Sequence, residues 1–268
     1  MELSAWFENL LFGGDSAAGT PPVVTVIGSG GKTSLIWRLA ANMAPSNHSG
    51  VVRRKILVTP TTKMFVPSPE EKLYDVYYDG ITNCITKSIT YGNTGDPIPG
   101  ITLAGRFNET IGKLESLPLP ALSKIISAYD LVLIEGDGSR GLPLKAWAAD
   151  EPVVPAFTTL TVGVLPLRPL GKPVSESLIH RLPLFLSLSG AAAGETIKPE
   201  HITAVITGGG GLFAKAQGKK ALFFNQIEDD EALKQAQEIA ELLPPDFRAG
   251  LCAIIAGSVR LNNVIPLK

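Results

Sequence analysis

Apolar residues in this chain cluster in short runs that glycine or proline closes, and stretches with helical spacing lie between them. The run Val23–Ile27 is wholly β-branched and predicts a short buried strand; Leu35–Ala41 follows with apolar residues at helical intervals. Lys55–Thr59, Leu131–Ile134, Leu160–Pro166, Ala221–Phe224 and Cys252–Ala256 predict further strands. Helices are predicted over residues 3–12, Leu119–Ala128, Glu176–Leu188 (started or kinked by Pro183) and Asp229–Leu243. After Pro199 a short segment reaches the turn Gly208–Gly211. Residues 64–100 are rich in turn formers, with strand candidates at Asn83–Thr86 and Ile101–Ala104. Strands alternating with helices predict an α/β fold of three layers, a largely parallel sheet with helices on both faces. Residues 1–20 read as a helix and a Gly/Ser/Ala linker, and 21–268 as a single α/β domain in which 64–118 is an insert or irregular region.

Composition narrows the class. With 268 residues, 45% hydrophobic and 18% charged, the chain has ample material for a core and is not of disordered type. A net charge of −1 without a basic tract gives no support for a nucleic-acid partner. Cys84 and Cys252 are isolated, and His48, His180 and His201 are scattered, so neither a disulfide framework nor a metal spacing is visible. The N-terminus has no basic region of secretory type, and the apolar run Leu182–Gly194 is too short to span a bilayer. The expectation is a cytoplasmic protein without a membrane partner.

The most informative chemistry lies between the first strand and its helix, in Gly28-Ser29-Gly30-Gly31-Lys32-Thr33-Ser34. Glycines let backbone amides turn inward around a phosphate, and the helix N-terminus adds unpaired N–H groups with partial positive charge. Lys32 would reach the terminal phosphates and the Thr33 hydroxyl would complete a Mg²⁺ shell, which makes the fold expectation P-loop NTPase-like. Val26 stands where the usual P-loop carries its first glycine; the shorter loop is similar to that of Mur-type peptide ligases. A glycine-rich turn that binds nothing is the competing reading.

Other candidates also follow strands, where ligands of such folds collect. Leu131–Ile134 runs into Glu135-Gly-Asp137, two carboxylates with the same facing in an extended chain, either of which could orient Mg²⁺. Arg140 and Lys145 follow as candidates for stabilising a transferring phosphoryl group or an anionic second substrate. Thr59, Thr61, Thr62 and Lys63 close the second strand and either contact the Mg²⁺ shell or γ-phosphate or simply cap a turn. Asn225-Gln-Ile-Glu228 occupies the place where GTP-binding proteins read guanine with Asn-Lys-x-Asp, with Gln226 for lysine and Glu228 for aspartate. Glu228 is alternatively an acid at a helix start. His180-Arg181, expected mid-helix, is a structural pair or a substrate contact.

Taken together, these segments resemble the YqeC family. The likeness rests on Gly28–Thr33, Thr59–Lys63, Glu135–Lys145 and Glu151–Pro155, joined by His180-Arg181 and the Asn225–Glu228 segment. Departures are Pro60 within the threonine run, Gly136 in place of alanine and Glu228 in place of aspartate. The resemblance implies an accessory protein of selenium-dependent molybdenum hydroxylases; the glycine loop and the acidic segment add the expectation of Mg²⁺ with ATP or GTP. In that reading it is an NTPase or nucleotide-dependent transferase whose partner is the apoenzyme or its molybdenum cofactor. Glu135-Gly-Asp-Gly also resembles the strand-end motif of dethiobiotin synthetase-type enzymes, which leaves a small-molecule kinase or ATP-dependent ligase as an alternative. A non-catalytic chaperone that nucleotide merely switches is the third reading. Lys32, Glu135, Asp137, Arg140 and Lys145 are the catalytic candidates in the first; the loop residues with Asn225 and Glu228 bind nucleotide, and Thr33, Glu135 and Asp137 hold the metal.

Overall fold

The computed structural model describes residues 1–13, 20–44, 54–67, 71, 73–79 and 97–268; His48, Cys84 and the strand expected at Asn83–Thr86 lie outside the described residues. Among the described residues nine strands form one sheet, with β1 (Val23–Gly28) in the middle position. On one side follow β8 (Leu131–Glu135), β2 (Lys55–Pro60), β5 (Gly100–Ala104) and β4 (Val76–Tyr78). On the other follow β10 (Leu160–Pro166), β12 (Lys219–Asn225), β13 (Ala253–Ser258) and β14 (Asn263–Pro266). Every neighbouring pair is parallel except β13–β14. This is the three-layer α/β architecture of P-loop NTPase type.

Alternation along the strands explains the layers. Val24 and Val26 of β1 face the cluster that includes α1 (Leu3–Phe12) and α2 (Lys32–Met43), whereas Val23 and Ile27 face the opposite side. That second face is covered by α3 (Leu119–Ile125), α4 (Leu182–Ser189), α5 (Pro199–Thr207) and α6 (Asp230–Leu242). With both faces covered, β1 and β10 are buried along their whole length, and so read in sequence as unbroken apolar runs. Ten-residue α1 is too short to persist alone. Leu3 and Phe7, both fully buried, hold it by about 1.5–3 kcal/mol each. Backbone bonds from Leu3 N to Asn262 O and from Val264 N to Met1 O fix it to the C-terminal hairpin.

Several elements depart from the sequence expectation. The helix expected over Glu176–Leu188 begins only at Leu182, with Pro183 in its first turn where a missing N–H costs nothing. His180 and Arg181 are therefore not mid-helix: His180 ends the two-residue β11 (Ile179–His180), which pairs in parallel with β9 (Leu144–Lys145), and Arg181 caps α4 with φ 63°. The segment after Pro199 is the nine-residue helix α5. Within the irregular region, β3 (Lys63–Phe65), β6 (Arg106–Asn108) and β7 (Lys113–Glu115) form a small antiparallel sheet. The proline-led α7 (Pro245–Ala249) precedes β13.

The chain leaves β1 for β2, returns through β8 and then crosses β1 to reach β10. That reversal opens a crevice at the carboxyl end of β1, the usual ligand position in an open parallel sheet. Register sets Val26 and Pro60 on either side of Glu135, and Pro166 beside Asn225. The strand-end motifs consequently meet along one rim.

Candidate functional site

The turn from β1 into α2 is held from three directions. Gly28 N–H donates to both Asp137 oxygens at 3.1 Å, Ser29 N–H donates to Val164 O at 2.9 Å, and Ser29 Oγ donates to Pro143 O at 2.8 Å. Asn225 Nδ2 donates to Gly30 O at 2.8 Å. Gly28 and Gly31 take φ values of 101° and 120°, and a Cβ on them would overlap Val164 O and the Asn225 amide respectively. Only glycine fits these two positions. The amides of Gly30, Gly31, Lys32 and Thr33 have no hydrogen-bond partner among the described residues. Consecutive unpaired N–H groups at the N-terminus of a twelve-residue helix make a cradle of the kind that suits an anion.

Lys32 closes this cradle with its ammonium buried. Its Nζ donates to Gly28 O at 2.8 Å and lies 3.4 Å from Asp137 and 3.9 Å from Glu135. Thr33 Oγ1 donates to Glu135 Oε2 at 2.7 Å. Burial pushes the Glu135 carboxyl up, against the pull of Lys32 and the Thr33 hydrogen bond. Thr61 N–H donates to Glu135 O, Thr61 Oγ1 donates to Val153 O, and Thr62 Oγ1 is buried without a partner among the described residues. Thr59 is buried, and Lys63 reaches out to Glu115 at 3.2 Å.

Asp137 is more heavily engaged than Glu135, although its Oδ1 takes only a share of the Gly28 N–H and faces the Lys32 ammonium at 3.4 Å. Besides Gly28 N–H it accepts from Lys145 Nζ at 3.0 Å and Trp147 Nε1 at 2.6 Å, and it is fully buried. Lys145, also fully buried, donates to Asp137, to Gly138 O and to Glu151, so its three protons are all placed. Arg181 grips Glu151 through two parallel bonds of 2.6 and 2.8 Å. Burial pushes the Glu151 carboxyl up, but Arg181 and Lys145 outweigh it and hold it at about 2. The β9–β11 pairing sets Lys145 beside His180, whose imidazole is held below its usual value by burial and by the cations Arg181, Lys145 and Arg140. Arg140 is exposed, with φ 54° and no hydrogen bond or ion pair among the described residues.

On the other flank, Asn225 Oδ1 accepts from Val259 N–H at 3.0 Å. Glu228 is not a helix cap, since Asp229 caps α6 through Ala232 N–H; it accepts from Ser258 Oγ and Arg260 instead. Ser34 lines the cavity beside it, together with Arg168, Ser258 and Arg260. These last three were missed in the sequence. Ser258 ends the buried strand β13 and Arg260 follows it, the signal that singled out the other motifs.

The structure thus gathers Gly28–Thr33, Glu135, Asp137 and Asn225 around one turn, with Lys145, Glu151 and Arg181 beneath it. The oxygens of Thr33 and Glu135 are hard donors of the kind that suit hydrated Mg²⁺. Among the described residues no group of three or more His, Cys, Asp or Glu side chains is placed to hold a metal by itself. Phosphate oxygens would have to complete the shell. Among the same residues no helix is long and apolar enough to cross a membrane.

The YqeC family model, described as YqeC protein, matches residues 24–183. The uncharacterized protein YqeC of Escherichia coli (strain K12) is 28% identical to the chain over 250 residues, covering 91% of this chain and 90% of that protein.

Proposed function

The chain belongs to the YqeC family, and from that premise we propose that it binds a Mg²⁺–nucleoside triphosphate, ATP or GTP, at Gly28–Thr33 and cleaves or transfers its terminal phosphoryl group. The observation that carries this reading is the row of four unpaired amides from Gly30 to Thr33, closed by the Lys32 ammonium. The amides and the helix N-terminus hold the β- and γ-phosphates. Lys32 exchanges its bond to Gly28 O for phosphate oxygens, and its charge there stabilises the terminal phosphoryl group. Thr33 and Glu135 would hold Mg²⁺, which, when bound, neutralises charge developing on the bridging oxygens.

Asp137 and Lys145 act at one remove. Asp137 fixes the first amide of the turn, and Lys145 carries the counter-charge that lets a fully buried carboxylate remain there. Arg181, through Glu151, anchors Lys145 in turn. Arg140, exposed and without an ion pair among the described residues, would meet a phosphoryl group or second substrate from the solvent side. The resemblance to accessory proteins of selenium-dependent molybdenum hydroxylases supplies a recipient, the apoenzyme or its molybdenum cofactor.

Calorimetric titration with Mg·ATP and Mg·GTP tests the site. Lys32→Ala is expected to weaken binding of whichever nucleotide binds by tenfold or more, with the circular dichroism spectrum unchanged. Equal affinity in Lys32→Ala and the wild-type protein would remove the phosphate reading.

A further inference from the structure

Beside Gly31 and Ser34, between the ends of β12 and β13, opens a cavity of about 650 Å³, within the roughly 300–1,000 Å³ range of small-molecule sites. It adjoins the anion cradle, so a nucleotide with its phosphates at Gly30–Thr33 has this space for its base. We propose that the cavity selects guanine over adenine, Glu228 accepting the two adjacent N–H groups on the Watson–Crick edge; the proposal rests on the phosphate reading above.

Three observations carry it. First, the cavity floor is built as one piece with the phosphate cradle. Asn225 bonds Gly30 O with its amide N–H and accepts from Val259 N–H, while Ile227 N–H donates to Gly257 O at 2.9 Å. Gln226 takes left-handed backbone (φ 65°) within this turn. Base and phosphates are therefore held in fixed register.

Second, the carboxylate is aimed and ionised. Ser258 Oγ donates to Glu228 Oε1 at 2.8 Å and orients it from within the fold. Without ligand, Arg260 and Ser258 hold its carboxyl at about 2; when Arg260 moves aside the Ser258 bond remains, and a carboxylate is an acceptor at neutral pH. Guanine offers N1–H and N2–H side by side to such an acceptor. Adenine turns the N1 lone pair toward it, which is repulsive.

Third, the groups now covering Glu228 are displaceable. Arg260 and Arg168 reach it at 2.6 and 3.5 Å from side chains that are 71% and 61% exposed. The Arg168 pair is an exposed one that contributes little, whereas Arg260 holds Glu228 through two bonds of 3.2 and 2.6 Å, so an arriving base has to take its place. Guanidinium groups released from the carboxylate stack on a purine face, so an arriving base replaces one favourable contact with another.

The test titrates wild-type protein with Mg²⁺ complexes of GTP, ATP, XTP and inorganic tripolyphosphate, then repeats the series on Glu228→Gln. GTP is expected to bind at least tenfold more tightly than ATP. Glu228→Gln is expected to lose that preference and gain affinity for XTP, because the glutamine amide donates to the xanthine O2. Unchanged tripolyphosphate affinity in the variant shows that its cradle is folded. If GTP and ATP bind wild type within threefold of each other, or if the substitution leaves their ratio unaltered, the base proposal is overturned while the phosphate reading stands. If none of the four binds wild type, both fall.

Discussion

Glu135 and Asp137 stand two residues apart after the same strand, and in sequence nothing ranks one above the other as a metal ligand. Burial and partners separate them. Asp137 accepts from the turn, Lys145 and Trp147, the last two through Oδ2, whereas Glu135 has one partner hydroxyl and a lysine at 3.9 Å. Its raised pKa has a consequence for stability. The folded state holds the Glu135 proton to higher pH than the unfolded chain does, so this residue costs stability as pH rises from about 4.5 through its folded pKa. Glu135→Gln removes that slope. The unliganded variant is expected to be at least as stable as wild type at pH 7, read by urea melts across the pH range. A cation restores the value of the ionised form, so the same variant is expected to lose about 1.5–3 kcal/mol of Mg²⁺-dependent nucleotide affinity, a factor of ten or more. A steeper pH slope in the variant, or full retention of the Mg²⁺ effect, would count against Glu135 as the metal-side carboxylate.

At the scale of elements, the proposed nucleotide affinity would depend on the constrained turn between β1 and α2, and neighbouring loops provide its control. An alanine Cβ at Gly31 meets the Asn225 amide and forces φ 120° on a residue that avoids it. Gly31→Ala is expected to cost about 1–3 kcal/mol of stability and to weaken nucleotide binding, by melts and calorimetry. At Gly138 the added carbon meets nothing within 4 Å and φ is ordinary, so Gly138→Ala is expected to be neutral within about 1 kcal/mol. Equal losses in the two variants would show that the turn is not under special constraint. The central strands and α2 were legible in the sequence because burial on both faces writes a continuous apolar run, and the turn because lysine and threonine follow its glycines. β9 and β11 were not legible. Two residues carry no period, and the pairing of Leu144 with Ile179 is a contact between segments about 35 positions apart. Without that pairing, His180-Arg181 read as part of the following helix. In the folded chain Arg181 is an anchor for Glu151, a role set by a tertiary partner that local spacing does not encode.

For the whole molecule, the site draws on both halves of the sheet. β8 and β1 carry Glu135 and the turn, the proposed metal side and cradle; β12 and β13 carry Asn225 and the cavity floor. A nucleotide spanning them adds contacts that exist only when the two halves are assembled, so its binding free energy adds to that of folding. At one hundred times the dissociation constant the gain is about 2.7 kcal/mol. For a chain of this size each kcal/mol moves the melting point by about 2–4 °C, so a rise of about 5–10 °C is expected with Mg²⁺ and the preferred nucleotide. The rise should shrink in EDTA, because the Glu135 side then presents a desolvated carboxylate to phosphate without a cation between them. Ligand confined to the cradle tests the span. Mg·tripolyphosphate at the same multiple of its own dissociation constant stabilises by the same free energy, but it leaves β12 and β13 unclamped. Hydrogen exchange at Phe223, Phe224 and Ile255 should therefore slow further with nucleotide than with tripolyphosphate. Equal protection from both ligands would mean that the base makes no contact on the β12–β13 side, and that the cavity there serves another molecule.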